Sequence, residues 1–324
     1  MSIDAGQQSK NEDSFIRRPM RQKDIPLVRR LLATSSDASA GQRLEMLEHV
    51  SAENLEADTK LVLTGTGEIA AVGFLLVFPS SEDGITGILE GTVLPEYRHR
   101  GLGTHLLSWQ ISRTIQKAQA FAGNESLVLR VSCEPEDEER NLLYEKHGIS
   151  RLVTQCQMRF DLHQLIPLRD LPADVVIASY VSERDDEMRQ VFNRAFAGHW
   201  IGEFTQEKWR ERFINTQKFR PEFTKLAIMN DRVIGFYLTE VFEDQPRHAW
   251  LEIIGVAPEH RGHGLGTALT AHALQIYQKA GFEACLLGVD DENITNAKQV
   301  YLKMGFVQEK ALRHFAKKIE LHAL

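Results

Sequence analysis

One segment of this chain occurs twice. Val93-Leu94-Pro95-Glu96-Tyr97-Arg98-His99-Arg100-Gly101-Leu102-Gly103-Thr104 returns as Val256-Ala257-Pro258-Glu259-His260-Arg261-Gly262-His263-Gly264-Leu265-Gly266-Thr267, so a shift of 163 residues carries Arg98 onto Arg261. Downstream, Tyr144-x-x-x-Gly148-Ile149 returns as Tyr301-x-x-x-Gly305-Phe306, a shift of 157 residues. A period of half a 324-residue chain describes two duplicated domains, because solenoids repeat every 20 to 50 residues or so. Each copy is long enough to bury its own core. The expected organisation is a polar, disordered tail over residues 1–13, a first domain over 14–165, a linker over 166–173 bracketed by Pro167 and Pro172, and a second domain over 174–324.

Composition narrows the partners. A formal net charge of −7 disfavours nucleic acid, since phosphate neutralisation needs clustered positive charge. Cys133, Cys156 and Cys285 are an odd number without Cys-x-x-Cys spacing, which points to reduced thiols rather than a disulfide framework or zinc site. His199 has no second His or Cys at ligand spacing, so no metal is expected. No run approaches the about 18 apolar residues of a membrane span, and the polar start is unlike a signal peptide. The expectation is a cytoplasmic protein without membrane or nucleic-acid partners, monomeric, with an internal arrangement resembling a dimer.

Both halves read with one order of elements. In the first, a short strand over 15–18 precedes a helix opened by Asp24 and Pro26 with apolar Leu27, Val28, Leu31 and Leu32. Strands follow over 60–64, 69–78 and 85–94, then a helix over 101–122, a strand over 127–133, a helix over 136–147 and a closing strand over 151–160. The second half repeats this with helices over 183–196, 205–215, 264–280 and 293–304, and strands over 175–179, 225–229, 233–242, 249–256, 284–289 and 307–318. The fold class is α+β, a mixed and mostly antiparallel sheet flanked by helices.

The repeated turn is built for an anion. A strand ending at Val256, then Arg261-x-x-Gly264-x-Gly266 and an amphipathic helix, presents free main-chain N–H groups at a helix N-terminus. Glycines at 262, 264 and 266 clear side chains from the approach, and Arg261 adds positive charge. A pyrophosphate suits this turn. The dinucleotide fingerprint does not apply, because antiparallel strands precede the turn and its third glycine is misplaced. Nor is it a P-loop, since Gly266 precedes Thr267 where that loop needs lysine.

The turn, the downstream Asn293 and Tyr301-x-x-x-Gly305-Phe306, the strand order and the duplication together resemble the GCN5-related N-acetyltransferase family over nearly the whole chain. The resemblance implies two tandem domains of that fold and acetyl-CoA as acetyl donor. It places Ile254, Gly255 and Val256 along the pantetheine arm. Arg261, Gly262, His263, Gly264, Leu265, Gly266 and Thr267 fall at the pyrophosphate, with Asn293 beside the cofactor. In the first half it carries Val93, Arg98, Gly101, Gly103 and Thr104 to corresponding positions. It also implies Tyr301 as the acid that protonates the departing sulfur, the N–H of Val256 as an oxyanion donor, and a carboxylate base on the strand leading to the turn.

Counting back from Val256 by the strand period of two puts Ile254, Glu252 and Trp250 on one face, which nominates Glu252. The same count from Val93 places Glu90 on the other face, leaving the first half without an inward carboxylate. That half also has Glu136 and Arg140 in place of Asn293 and Ala297, although Tyr144 remains. The first copy is therefore expected to be degenerate and the second catalytic. Acceptor recognition is expected from residues 193–213, which hold His199, Trp200, Glu203, Phe204 and Trp209, with His199, Trp200 and Glu203 as substrate contacts; the equal alternative is that these aromatics close over the core. Gly288-Val289-Asp290-Asp291-Glu292-Asn293 ahead of Ala297 and Tyr301 is most similar to the mycothiol-synthase group, which acetylates a cysteinyl amine on a sugar-inositol. That group's glutamate falls one pleat before Glu252, at Trp250 here. The reading is an acetyl-CoA-dependent N-acetyltransferase for a small-molecule primary amine. Mycothiol-synthase-like and peptide or protein acceptors are the alternatives within the enzyme class, and an acyl-CoA-binding sensor is the alternative outside it.

Overall fold

The computed structural model describes residues 15–33, 40–80, 84–121, 126–199, 202–291 and 296–321. The tail expected over 1–13 lies outside them, as do Trp200 and Asn293. The first half gives β1 (Ile16–Arg18), α1 (Ile25–Ala33), α2 (Ala40–Glu48), α3 (Leu55–Asp58), β2 (Thr59–Leu63), β3 (Ile69–Ser80), β4 (Gly84–Val93), α4 (Leu102–Ala118), β5 (Ser126–Cys133), α5 (Glu138–Lys146) and β6 (Ser150–Asp161). The second gives β7 (Val176–Ser179), α6 (Asp185–Ala195), α7 (Gln206–Trp209), β8 (Lys225–Met229), β9 (Arg232–Glu240), β10 (His248–Val256), α8 (Leu265–Lys279), β11 (Ala284–Asp290), α9 (Ala297–Met304) and β12 (Val307–Glu320). The one long helix expected over 205–215 is instead α7 followed by a single π-turn, Arg210–Ile214, closed by Asn215 N–H donating to the Arg210 carbonyl at 2.7 Å.

Packing divides the chain into two compact units, and their limits differ from those expected from the repeat. One unit is residues 1–154 with 311–324; the other is 155–310. The first unit's sheet runs β1-β2-β3-β4-β5-β12 and the second's β7-β8-β9-β10-β11-β6. In each, one pair is parallel, β4 with β5 and β10 with β11, and the other pairings named here are antiparallel. The sixth place of each sheet is thus filled by the other half's closing strand. Arg313–Glu320 of β12 pair with β5 and Gln155–Asp161 of β6 with β11. Alternation specifies which face of a strand is buried but not which edge it joins, so the repeat could not reveal this exchange.

The second unit's core is aromatic. Phe192, Phe204, Trp209, Phe213 and Phe236 form one cluster with Met188, Leu226, Leu238 and Ile253. Trp209 is fully buried, its Nε1–H donating at 2.9 Å to the buried Asp185 carboxylate, which also accepts from Arg210 Nε at 2.7 Å. A buried indole satisfies its one donor in this way. Of the two readings open for Phe204 and Trp209, the core one therefore holds. In the first unit Tyr144 and Phe315 meet edge to face at a centroid distance of 5.3 Å, so β12 contributes to that core as well as to its sheet.

Candidate functional site

In the second unit the parallel pair parts. β10 and β11 are in register at His248 with Ala284, Ala249 with Cys285 and Trp250 with Leu286. β10 then continues to Val256 and β11 to Asp290 without further pairing to each other. The main chain of Ile254, Gly255 and Val256 is thereby left without a β11 partner on the side where an extended ligand could pair with it. The first unit parts similarly, with pairing from Ile85–Leu127 to Ile88–Arg130 while β4 runs on to Val93.

At the end of β10 the chain turns through Pro258–His260 and enters α8 from Gly264, whose φ of +80° is left-handed. Gly262 has the same φ, and a Cβ at either glycine would meet nothing within 4 Å. The N-cap offers no side-chain hydrogen bond, and the first intrahelical bond from this end is Ala268 N–H to the Gly264 carbonyl at 2.9 Å. The N–H groups of Leu265, Gly266 and Thr267 precede that bond at the positive end of the helix dipole. His263 is exposed, Thr267 half-buried, and Leu265 fixes the turn by burying its side chain. Arg261 is tied back onto the protein, with Nε donating to the Val256 carbonyl at 3.2 Å and Nη2 to the Ala195 carbonyl. It braces the turn between β10 and the end of α6. Open space over a main-chain anion cradle fits a pyrophosphate.

The carboxylates depart from the simple count. β10 carries a bulge between Leu251 and Ile253, and Glu252 is the extra residue. Leu251 stands opposite Thr239, whose hydroxyl meets Tyr277 of α8 at 2.6 Å. Past the bulge it is Ile254 that stands opposite Tyr237, whose hydroxyl meets His272 of α8 at 2.9 Å. Leu251 and Ile254 thus share the α8 side, and Glu252 does not face with Ile254 as a period of two required. Glu252 lies on the α6–α7 side, accepting at 3.0 Å from Arg212 in the π-turn. A bulge re-aims a side chain at the cost of one unpaired residue.

Two residues of this cluster had no candidate role in the sequence. Glu240 ends β9 directly opposite Trp250, with its side chain 1% exposed. Its Oε1 accepts no hydrogen bond among the described residues; Arg212 Nη1 is 3.8 Å away, too far for one. Burial, then the charge of Glu252, push the Glu240 carboxyl up to about 7, against the weaker pull of Arg212 and Lys218. The available signal was a carboxylate closing the otherwise apolar strand Val233–Leu238.

Tyr301 projects from α9, packs on Phe306 at a centroid distance of 5.5 Å and is partly exposed. Its hydroxyl makes no hydrogen bond to the described residues, and burial, then the Cys285 thiol, hold its pKa above the ordinary phenol value. Tyr144, its counterpart, is buried and donates to the Ser132 carbonyl at 3.2 Å. At the mouth of the parted strands His199 Nε2 meets Asp290 Oδ2, at the end of β11, at 2.7 Å. Of the other acceptor candidates, Glu203 is exposed.

In the first unit the turn is equally formed, with Gly101 at φ +75° capping α4. A cavity of about 470 Å³ opens there, and Val93, Arg98, Gly101, Gly103 and Thr104 all line it. Glu90 borders it as well, with Arg140 and Tyr144, although it stands opposite Phe74 of the core beneath α1 and α2, on the face away from Val93 that the count gives it. Where the strands part, residues of both strand faces border the opening, so the alternation rule no longer separates inside from outside.

Residues 186–306 match the acetyltransferase (GNAT) family. The mycothiol acetyltransferase of Stackebrandtia nassauensis is 30% identical over 246 residues, covering 73% of this chain and 76% of that protein. The mycothiol acetyltransferase of Nocardia farcinica is 28% identical over 289 residues, 86% of this chain and 89% of its own. A GCN5-related N-acetyltransferase from Sphaerobacter thermophilus superposes with a TM-score of 0.74 at 23% identity, covering 94% of this chain and 96% of that one. A tandem GNAT protein from the clavulanic acid biosynthesis pathway gives 0.58 at 16% identity, covering 94% and 98%. Family match and relatives are those of an acyltransferase, and the fold agrees. The chain belongs to the GNAT acetyltransferase family and carries that fold twice, and its activity is acetyl transfer to an amine. No helix among the described residues is long and apolar enough to cross a membrane.

Proposed function

We propose that the second unit holds acetyl-CoA along Ile254, Gly255 and Val256 with its pyrophosphate on Arg261–Thr267, and transfers the acetyl group directly to the primary amine of a small polar molecule. The observation that carries the reading is the coincidence of parted strands β10 and β11 with a left-handed glycine cap on α8, at the only one of the two turns whose tyrosine hydroxyl is not bonded to a described residue. Bound acetyl-CoA supplies an activated thioester. The Val256 N–H stabilises the charge that grows on the carbonyl oxygen, a donor typically worth about 3 kcal/mol. Tyr301, a phenol that carries its proton at neutral pH and is pushed further toward that form by burial, donates to the departing sulfur. The carboxylate cluster around Glu252 deprotonates the acceptor ammonium, and the segment carrying His199, Trp200 and Glu203 borders the acceptor. The names of the relatives support a mycothiol-type acceptor within this class, while Trp250 stands at the position where the resemblance expects a glutamate.

The test is thiol release from acetyl-CoA across a panel of amino sugars, aminoglycosides, cysteinyl amines and peptides. Turnover with a small polar amine, reduced about 100-fold or more in Tyr301→Phe, is expected. Tight acetyl-CoA binding with no turnover on any amine would mean a sensor instead, and preference for peptides would move the acceptor class.

A further inference from the structure

Two carboxylates meet one arginine where β10 and β11 begin to part, and their environments are unequal. Glu252, on the bulge, is hydrogen-bonded to Arg212 at 3.0 Å. Glu240, on β9, is buried, has an Oε1 with no hydrogen bond among the described residues, and lies 3.8 Å from the same guanidinium. One arginine cannot serve both at hydrogen-bond distance in this arrangement, so one carboxyl stays committed and the other stays poised.

We propose that Glu240 is the base that takes the acceptor's proton, and that Glu252 is a positioning residue that occupies Arg212 and sets Glu240's proton affinity. This rests on the acetyl-transfer reading of the second unit. Three geometric facts support it. Trp250, directly opposite Glu240, is the last β10 residue paired with β11, so the carboxyl sits at the level where the opening begins. The π-turn and the bulge each displace the backbone by a residue, and together they bring Arg212 onto Glu252. Such irregularities gather at functional sites. Finally, a buried carboxyl oxygen left without a donor is costly unless it has a transient partner, and an incoming ammonium is a partner of the right charge. The charged groups acting on Glu240 are Glu252 from β10, Arg212 from the π-turn and Lys218 from the loop before β8; Glu252 favours its protonated form and the two cations oppose it. A base titrating near the working pH is the efficient kind.

The balance closes. The acceptor ammonium yields one proton to ionised Glu240, which later releases it to solvent. The nitrogen lone pair forms the C–N bond as the C–S bond breaks. The leaving thiolate takes the Tyr301 proton, and the surplus proton on the new amide nitrogen restores the tyrosine.

Two measurements test this on the full chain. In the first, kcat/KM for the acceptor is followed from about pH 5 to 9 after dividing out the acceptor's own ionisation. The wild type is expected to lose activity below about 7. Glu240→Gln should abolish that limb and lower kcat about 100-fold, with Glu240→Asp retaining part of the rate and an unchanged melting curve excluding misfolding. Glu252→Gln should move the limb to lower pH by about half a unit or more, because it removes a like charge and frees Arg212. In the second, which needs no acceptor, carboxyl carbon NMR should find Glu240 titrating near 7 and lower in Glu252→Gln. Normal turnover with an intact acid limb in Glu240→Gln, loss of turnover confined to Glu252→Gln, or a Glu240 carboxyl titrating in the ordinary range would each overturn the assignment. A wild type that acetylates no amine would instead sink the functional reading, leaving the NMR titration to judge Glu240.

Discussion

The two units carry the same turn and the same tyrosine, yet differ in what those groups have left to offer. In the first, β3 and β4 pair in one unbroken register from Ala71–Val93 to Ser80–Gly84, and the Tyr144 hydroxyl is spent on the Ser132 carbonyl. In the second, a bulge interrupts β10, and Tyr301 makes no hydrogen bond to the described residues. A cavity of about 470 Å³ opens at the first unit's turn. The first unit thus keeps room for a ligand but has neither the interrupted strand nor the unbonded tyrosine hydroxyl of the second. A regular strand and a satisfied hydroxyl make a stable pocket, whereas an irregular strand and a free donor make one that can respond to a developing charge.

The sharpest way to break the comparison is to separate the halves. Cutting between 165 and 166 deprives β5 of β12 and β11 of β6, exposing an open strand edge in each product. Either half expressed alone is expected to be insoluble or unfolded by circular dichroism, and the two co-expressed are expected to recover a folded complex with activity. A first half that folds alone with a cooperative melt would show that the exchange of closing strands adds little to stability.

Next in size is the tyrosine pair. Tyr301→Phe removes the proton donor to sulfur and is expected to lower kcat by about 100-fold or more. Tyr144→Phe removes one buried hydrogen bond, with a stability cost of about 1 kcal/mol and kcat within about twofold of wild type by any principle of local action. Turnover that survives the first change and disappears in the second would transfer catalysis to the other unit.

The glycine caps give a smaller, separable effect. Gly264→Ala forces a Cβ into the left-handed region, a strain of roughly 1 kcal/mol, and points it into the open space where the pyrophosphate is proposed to approach. KM for acetyl-CoA is expected to rise about tenfold with kcat nearly unchanged, as lost uniform binding requires. Gly101→Ala carries the same strain, at φ +75°, but is expected to lower thermal stability without altering either steady-state constant. Equal effects on KM would mean that both turns serve the same catalytic cycle.

Much of this was legible because its sequence signals were local. The repeat gave both turns, α8 and the helix carrying Tyr301, and α8 differs from its expected span of 264–280 by one residue at each end. Phe204 and Trp209 could be read either way, because aromatic residues serve acceptor sites and cores alike, and only Asp185 beneath the indole distinguishes the two. The face of Glu252 was misjudged for a different reason: a bulge shifts phase without leaving a fixed signature in residue types. Glu240 and the strand exchange were out of reach, since both depend on which strand lies beside which. Residue-type patterns constrain faces; neighbours across a sheet are a property of the whole fold.

The smallest effect concerns the turns themselves. His99 occupies the place of Gly262 in the repeat and adopts a φ of +61°, against +80° for the glycine. A residue with a Cβ is strained there by roughly 1 kcal/mol, and its ion pair with Glu139 at 3.2 Å is exposed on both sides, so it offsets little. His99→Gly relieves the strain but loosens the unfolded chain by a comparable, somewhat smaller amount. A net gain of about 0.5 kcal/mol is expected, a rise of about 1–2 °C in the melting temperature, with the reciprocal Gly262→His lowering it by a similar step. Because Gly262 also keeps the second turn open, only that reciprocal change is expected to raise KM for acetyl-CoA. If His99→Gly instead destabilises the chain, the histidine is held in place by contacts worth more than its strain.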